Sequence, residues 1–578
     1  MTFSIEGKQF LRDGVPVKLI SGAVHYFRNL PDTWPDIFQK MRALGCNTVE
    51  TYCAWNLHEP HPGEFDFSGP LDLSAFLDAA NDAGLMAIVR PGPYICAEWD
   101  FGGLPWWLQN EPGIEIRSMN EAYLRCFDRY LDRLLAVIAP HLVTRGGNVI
   151  MLQCENEYGH YGDDREYLTY LRDGFRRRGI DVPLFTSDSP EREKLLDGNI
   201  PGCLATVNFG SHVAEHIPIL DEMFPDAPKM CMEMWDGWFD AWGCGVHHTT
   251  DAEAYAKTVG DMLRVGSVNM YMFIGGTNFG FMSGANHGDT FAPDVTSYDY
   301  DALLTECGDV TAKYRAVREV VRQYTDEPLP PIPPDREKRS YGTVALPENA
   351  ALLPNLEALA KPIPSAVPGP MEAYGEGYGY IAYRTTLRRQ YRYTKLAVEG
   401  LGDRAQIYKN EELLGVFYID GETELRFDAE PGDTLTILVE NMGRTNFGSK
   451  MMRKKGIAGR VLFDGKIHFG WEVFPLPMRD VSALTFAGGE PSSPSAFWRG
   501  TFSVDEPADT FLRTDGFRKG FVLLNGFNLG RFWEVGPQKT LYVPKSLLSR
   551  GENELIVFTS DGRSGDAIVT FTDRPDLG

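Results

Sequence analysis

Over its first 325 residues the chain repeats one pattern: a short apolar run, a turn, then a stretch with apolar residues at spacings of three and four. The apolar runs read "KLISGAVHYF", "NTVETYCAWNLHE", "MAIVRPGPYICAEW", "NVIMLQCENEYG", "PLFTSDS", "LATVNFG", "PKMCMEMWDGW" and "VNMYMFIGGTNFG". Between them lie segments such as "TWPDIFQKMRALG", "DLSAFLDAANDAGL" and "DAEAYAKTVGDMLRVG". Parallel strands need a crossover between neighbours, and a helix is the usual one. The alternation therefore predicts an α/β fold, a (β/α)8 barrel of the TIM type. In such a barrel, chemistry collects where strands end and the following loops begin.

A proline-dense segment, "EPLPPIPPDREK" (327–338), closes this region. Beyond it the pattern changes to two-residue alternation broken by Gly, Asn and Asp turns. "NEELLGVFY" from Asn410 and "NGFNLGRFW" from Asn525 share N-x-x-x-L-G-x-aromatic, and each precedes an apolar strand, "DTLTILVEN" or "NELIVFTS". A duplicated all-β sandwich accounts for this repeat. The expected organisation is a barrel over 1–325, a Pro-rich linker and connecting strand over 326–370, and β-sandwich domains over 371–487 and 488–578.

Carboxylates sit at or beside five predicted strand ends: Glu59, Glu98, Glu155 with Glu157, Glu233, and Asp299 with Asp301. Several lie among aromatics, as in "CAEWDFGGLPWW" and "MEMWDGWFDAWG". A lone glutamate at a strand end is usually solvated or salt-bridged, and a tryptophan cluster is usually core. Their convergence on one predicted barrel face is what points to chemistry. Paired carboxylates suit acid–base and nucleophilic work, and aromatic faces suit the C–H face of a sugar ring.

The formal charge of −24 argues against a nucleic-acid or anionic-membrane partner. No stretch approaches the roughly 20 apolar residues of a membrane span. The opening "MTFSIEGKQFLRDG" lacks a basic segment followed by an apolar one. Nine cysteines, none at C-x-x-C spacing and all before residue 308, read as free thiols of a cytoplasmic protein. "GEGYGY" (375–380) reads as a glycine-rich turn in β-type sequence. His247 and His248 show no partner ligands at metal spacing, so no metal or other cofactor is expected.

"VETYCAWNLHEP", "RPGPYICAEWDFGGLPWWL", "LQCENEYG", "MEMWDGWFDAWG" and "TSYDYDALLTECGD", taken in order, resemble the glycoside hydrolase family 35 β-galactosidases. "YIAYRTTL" and "VENMGRTNFG" resemble that family's β-domains. The resemblance implies a retaining exo-β-galactosidase whose substrate is a galactose-containing oligosaccharide. It makes Glu157 the general acid/base, Asn156 the partner of the sugar 2-hydroxyl, and Glu233 the nucleophile. Tyr52, the run Cys96, Ala97 and Glu98, and Tyr300 match positions that hold galactose, with Tyr298 behind them. Trp235, Trp238 and Phe447 are expected to wall the leaving-group side, and Trp242 to pack beneath the loop. Glu155 and His25 are expected to be structural. Similarity to short, signal-less bacterial members implies a β-1,3 preference; a homodimer is also compatible. The competing readings are another retaining barrel glycosidase, such as a β-glucosidase or mannosidase, and an inactive carbohydrate-binding protein.

Overall fold

The computed structural model describes every residue except 326 and 327, so the start of the expected linker lies outside the described residues. All eight apolar runs form strands of one closed parallel barrel: β1 (Ile20–Val24), β2 (Thr48–Tyr52), β3 (Met86–Arg90), β4 (Val149–Gln153), β5 (Leu184–Asp188), β6 (Cys203–Asn208), β7 (Met230–Trp235) and β8 (Ser267–Ile274). They pair in sequence order, and β8 closes on β1. Helices over Trp34–Leu44, Leu73–Asp82 and Ala252–Val265 occupy the three segments whose spacing predicted them. The side chains of Asp72, Asn120, Asp164, Asp251 and Thr311 each accept a bond from the backbone N–H three residues on. These caps satisfy N–H groups that have no partner inside the helix and fix where each helix starts. Among the described residues no helix is long and apolar enough to cross a membrane.

Phe3–Glu6, Gln9–Arg12 and Val15–Val17 form a small antiparallel sheet ahead of the barrel, and from Gly342 onward the chain forms two sandwiches, each a six-stranded sheet packed on a four-stranded one. The repeat read from the sequence occupies equivalent places in both. Glu412–Tyr418 and Phe527–Trp533 are edge strands of the two six-stranded sheets, each the second arm of a bulged hairpin. The repeated asparagine does the same job in both hairpins. Asn410 and Asn525 sit in the hairpin turns at φ 54° and 50°, a left-handed conformation that asparagine tolerates better than most residues. Their side-chain oxygens then accept from the backbone N–H groups of Thr434 and Glu554, both at 2.9 Å. One residue type thus closes a turn and clips it to the strand that flanks the hairpin in its sheet.

Within the expected linker, the described residues 328–370 are more than a connection. Gly342–Ala345 pairs with Ile568–Thr572, and Glu348–Ala351 pairs with Ala496–Val504, so both strands belong to the C-terminal sandwich. Ile363–Ser365 joins the first sandwich beside Trp471–Leu476. A single short strand carries no long-range pairing signal, which is why local patterning reads this stretch as connection.

The first sandwich reaches the barrel mouth. Thr445–Phe447 pairs with Ala285–His287 from the loop after β8. Behind this contact Arg444 is fully buried, with its side chain on Glu372 at 2.7 Å and its backbone N–H on Asp100 Oδ1 at 2.8 Å. A buried guanidinium keeps its charge only among such partners. It fixes the height at which Phe447 stands over the barrel.

Candidate active site

At the end of β4 the chain still bonds as a strand through Cys154, whose N–H donates to the Phe185 carbonyl at 2.8 Å. Glu155 and Glu157 then take left-handed backbone, φ 62° and 46°, a conformation that costs non-glycine residues of order 1–3 kcal/mol each. This is the device that breaks strand alternation, and it sends three neighbours in three directions. Glu155 turns into the protein, where Arg117 donates to both of its oxygens at 3.1 and 2.8 Å and Tyr167 donates at 2.8 Å. It also accepts from the Asn156 N–H at 2.7 Å, so it braces the turn, as expected for a structural residue. Asn156 faces β2 and β3. Glu157 lines a cavity of about 260 Å³ at the barrel mouth.

Glu233 lines the same cavity from β7, where the ladder slips between Cys231 and Glu233. The slip is a bulge that re-aims the carboxylate. One Glu233 oxygen lies 2.7 Å from the Tyr52 hydroxyl and accepts from Arg90 Nη2 at 2.6 Å. The other accepts from Trp235 Nε1 at 3.1 Å. These donors suit an anion. Arg90 also donates to Asn156 Oδ1 at 2.6 Å, and Gln153 Nε2 donates there at 2.9 Å. With its carbonyl fixed, Asn156 has no partner for its amide nitrogen among the described residues. Arg90 is itself fully buried beneath the site, with Glu50 at 3.9 Å on its far side.

Glu157 lives in the opposite environment. Among the described residues its one side-chain donor is Asn208 Nδ2 at 3.0 Å, and the Asn208 carbonyl is held in turn by Ser187 Oγ at 2.6 Å. Asn208 is also the ladder neighbour of Glu233, so one residue ties the two carboxylates together. Burial first, and then the charge of Glu233, push Glu157 up to about 8, against the Asn208 bond that favours its anion. Two carboxyl groups with environments that differ in this way are suited to acid and nucleophile roles.

Around this pair the wall is formed by Ile95, Cys96, Ala97, Glu98, Trp235, Trp238, Phe239, Tyr271 and Tyr300, with His160, Ser189, Asn286 and Phe447 at its outer side. Cys96, Ala97 and Glu98 all have left-handed backbone, and so does Tyr300. Burial pushes the Glu98 carboxyl up to about 7, although the Tyr298 hydroxyl donates to it at 2.6 Å. Tyr298 stands behind the wall. Trp238 and Phe447 are about 40% exposed, at 43% and 41%, and flank the opening. The loop carrying Trp238 packs so closely on the Tyr300 carbonyl that a Cβ on Gly237 would lie 1.6 Å from it. Only glycine fits there.

Most of the residues singled out from sequence therefore meet at one site. Tyr52 and Asn156 contact Glu233 or its partners from behind and do not form the cavity wall. Trp242 is buried outside the cavity, and His25 is buried against Arg28 at 2.6 Å. Three strand-end carboxylates are elsewhere: Glu59 pairs with Arg129, Asp301 with Lys313, and Asp299 accepts from the Glu306 N–H. His247 and His248 do have partners, contrary to expectation. Asp240 Oδ2 and Oδ1 lie 2.6 Å from their respective Nδ1 atoms, and Cys244 is close by. The loop after Gly243 folds back on itself, a return that sequence spacing does not reveal. Arg90, Asn208 and Tyr271 were missed, although each is a polar residue on an apolar strand and carries the signal that was read only for carboxylates. His160, Ser189 and Asn286 come from separate loops with no local signal.

This geometry can be set beside proteins already known. Residues 9–324 match the model of glycosyl hydrolases family 35. Residues 368–477 match that of the β-galactosidase first all-beta domain, and 495–553 that of the β-galactosidase galactose-binding domain. The chain is 43% identical to a "Beta-galactosidase" of Xanthomonas manihotis, over 94% of this chain and 92% of that protein. It is 40% identical to "Beta-galactosidase-1-like protein 2" of Homo sapiens, covering 99% and 91%, and 40% identical to a "Beta-galactosidase" of Bos taurus, covering 99% and 94%. The barrel, the two β-domains in their order and near-complete coverage of these relatives all agree: the chain belongs to glycosyl hydrolase family 35.

Proposed function

We propose that the protein is a retaining exo-β-galactosidase that removes terminal β-galactose through a covalent galactosyl–enzyme intermediate. The observation that carries this reading is the pair Glu157 and Glu233, which share one cavity in opposed environments. Glu233, surrounded by donors, attacks the anomeric carbon, while Glu157, protonated near neutrality, gives its proton to the departing oxygen. Glu157 then takes a proton from water, which attacks the intermediate from the same face. We take the Asn156 amide, which has no partner among the described residues, to reach past Glu233 to the 2-hydroxyl once the ring is seated. Tyr52 orients the nucleophile, and Cys96, Ala97, Glu98 and Tyr300 hold the ring. The "Beta-galactosidase" names of the relatives support galactose as the sugar. A cavity of about 260 Å³ suits a terminal residue better than the interior of a chain.

Trp235, Trp238 and Phe447 line the cavity, the last two partly exposed at its opening; we take this as the leaving-group side and read the three as favouring β-1,3-linked galactose. Nitrophenyl β-galactoside should be hydrolysed at least tenfold faster, in kcat/KM, than the β-glucoside and β-mannoside. Between Galβ1-3GlcNAc and Galβ1-4GlcNAc the former should win by a similar margin. Equal rates on the two disaccharides would remove the linkage assignment and leave the reaction untouched; no turnover on any sugar would remove the enzyme reading. Nine unpaired cysteines accord with a cytoplasmic setting.

The proton on Glu157 sets the pH dependence. The acid works only while protonated, so kcat/KM for a substrate with a poor leaving group should fall as pH rises through about 8. For a dinitrophenyl galactoside, whose leaving group needs no proton, that alkaline fall should shrink or vanish. An unchanged fall would transfer the titration to another group, Glu98 being the nearest in the wall.

A further inference from the structure

The loop after β7 holds a cluster that galactoside hydrolysis does not use. Asp240, Cys244 and His248 follow each other at intervals of four residues, and one donor atom from each lies within 4.8 Å of the other two. Asp240 is buried, while Cys244 and His248 are exposed. Of the nine cysteines only Cys244 is exposed; the other eight are buried or half-buried. Gly243 and Gly245 flank it with left-handed backbone, φ 88° and 91°, and this returns the thiol to the carboxylate. The base of the loop is tied down before the cluster is reached. The Val295 N–H donates to the Asp240 carbonyl at 3.0 Å, the Trp242 N–H to Pro293 at 2.9 Å, and the Gly243 N–H to Gly536 at 2.7 Å.

We propose that Asp240, Cys244 and His248 form a binding site for a divalent transition-metal cation of the zinc class, separate from the sugar cavity. The donor chemistry selects the ion: thiolate and imidazole favour Zn²⁺ and Co²⁺ over the hard cations Mg²⁺ and Ca²⁺, and a carboxylate completes a common set. At present His248 Nδ1 and Asp240 Oδ1 are 2.6 Å apart, the separation of a shared proton. Around a tetrahedral metal with bonds of about 2.0–2.3 Å, two ligand atoms stand roughly 3.3–3.7 Å apart. The exposed histidine therefore swings outward by about an ångström as metal replaces the proton, which passes through solvent to the other ring nitrogen, Nε2, and the Cys244 proton is released to solvent. His247 remains on the other Asp240 oxygen at 2.6 Å, with its Nε2 3.4 Å from Asp299 Oδ1, and orients the carboxylate from behind. Three protein ligands leave one position for water. The loop that would be stapled is the one that carries Trp238 and Phe239 into the cavity wall.

The test uses untagged, metal-free, reduced protein and Co²⁺ as the probe. Wild type should develop a thiolate-to-cobalt charge-transfer band that saturates at one equivalent and is displaced by Zn²⁺. Cys244→Ser should lack that band, and His248→Ala should bind Zn²⁺ at least tenfold more weakly by calorimetry. Cys244→Ser should hydrolyse nitrophenyl β-galactoside at the wild-type rate without metal, which shows that the fold and the sugar site are intact. Absence of the band in wild type, or its persistence in Cys244→Ser, overturns the proposal.

Discussion

Glu233→Gln should retain less than about 10⁻⁴ of the wild-type kcat on nitrophenyl β-galactoside, the scale of loss when a covalent nucleophile is removed. The glutamine is isosteric, and its carbonyl can keep the contacts to Tyr52 and Arg90. Its amide nitrogen would meet the Trp235 Nε1–H, donor against donor, in place of the 3.1 Å bond of the wild type. One lost bond of about 1 kcal/mol leaves the fold standing, so an unchanged circular dichroism spectrum should accompany the loss. A 2-deoxy-2-fluorogalactosyl donor should label wild type on the peptide containing Glu233, found by mass spectrometry, and leave the variant unlabelled. Label on another peptide would move the nucleophile to a different carboxylate, with Glu98 in the wall and Glu50 behind Arg90 the available ones.

That short list of alternatives reflects what could be read in advance and what could not. The barrel was legible because each strand is buried on both faces and so appears as a continuous apolar run. Strand ends were less so. "NTVETYCAWNLHE" looks like one strand, yet β2 stops at Tyr52 and a helix turn begins at Trp55. Trp55 is fully buried and donates to Glu59 at 2.8 Å, a tertiary arrangement that overrides local β-propensity. The same contact explains why Glu59 misled. A strand-end carboxylate looks alike in sequence whether it faces a cavity or a cation, and Arg129 lies seventy positions away.

The central pair was visible because its chemistry needs residue types that are costly to bury. Arg90 met that criterion too, since a fully buried guanidinium at the end of an apolar strand needs carboxylate partners. It links Glu233, Asn156 and Glu50, and so decides how the Glu233 carboxylate is held. Phe447 was reachable only through resemblance. Its place depends on a buried Arg444–Glu372 pair that bridges seventy-two positions, and no local pattern encodes that distance.

Replacing Glu157 should divide the reaction in a way that no other residue does. With Glu157→Ala, a dinitrophenyl galactoside should still load Glu233, because its leaving group departs unprotonated. Release should then slow by about 10²–10⁴-fold for want of a base. Azide needs no base, so adding it should restore turnover and yield β-galactosyl azide, identified by its anomeric coupling. An α-azide, or no rescue, would sink the retaining assignment. The same residue carries a stability signature. Its carboxyl stays protonated to about pH 8 in the fold but ionises near 4.5 once unfolded. Between those values the folded state binds the extra proton, so wild-type stability falls as pH rises. Glu157→Gln lacks that proton and escapes the fall. Its melting temperature relative to wild type should therefore climb steadily from about pH 5 to about pH 8 and then level off. A flat difference across that window would mean that Glu157 is ionised in the resting enzyme, and would leave the leaving group without its acid.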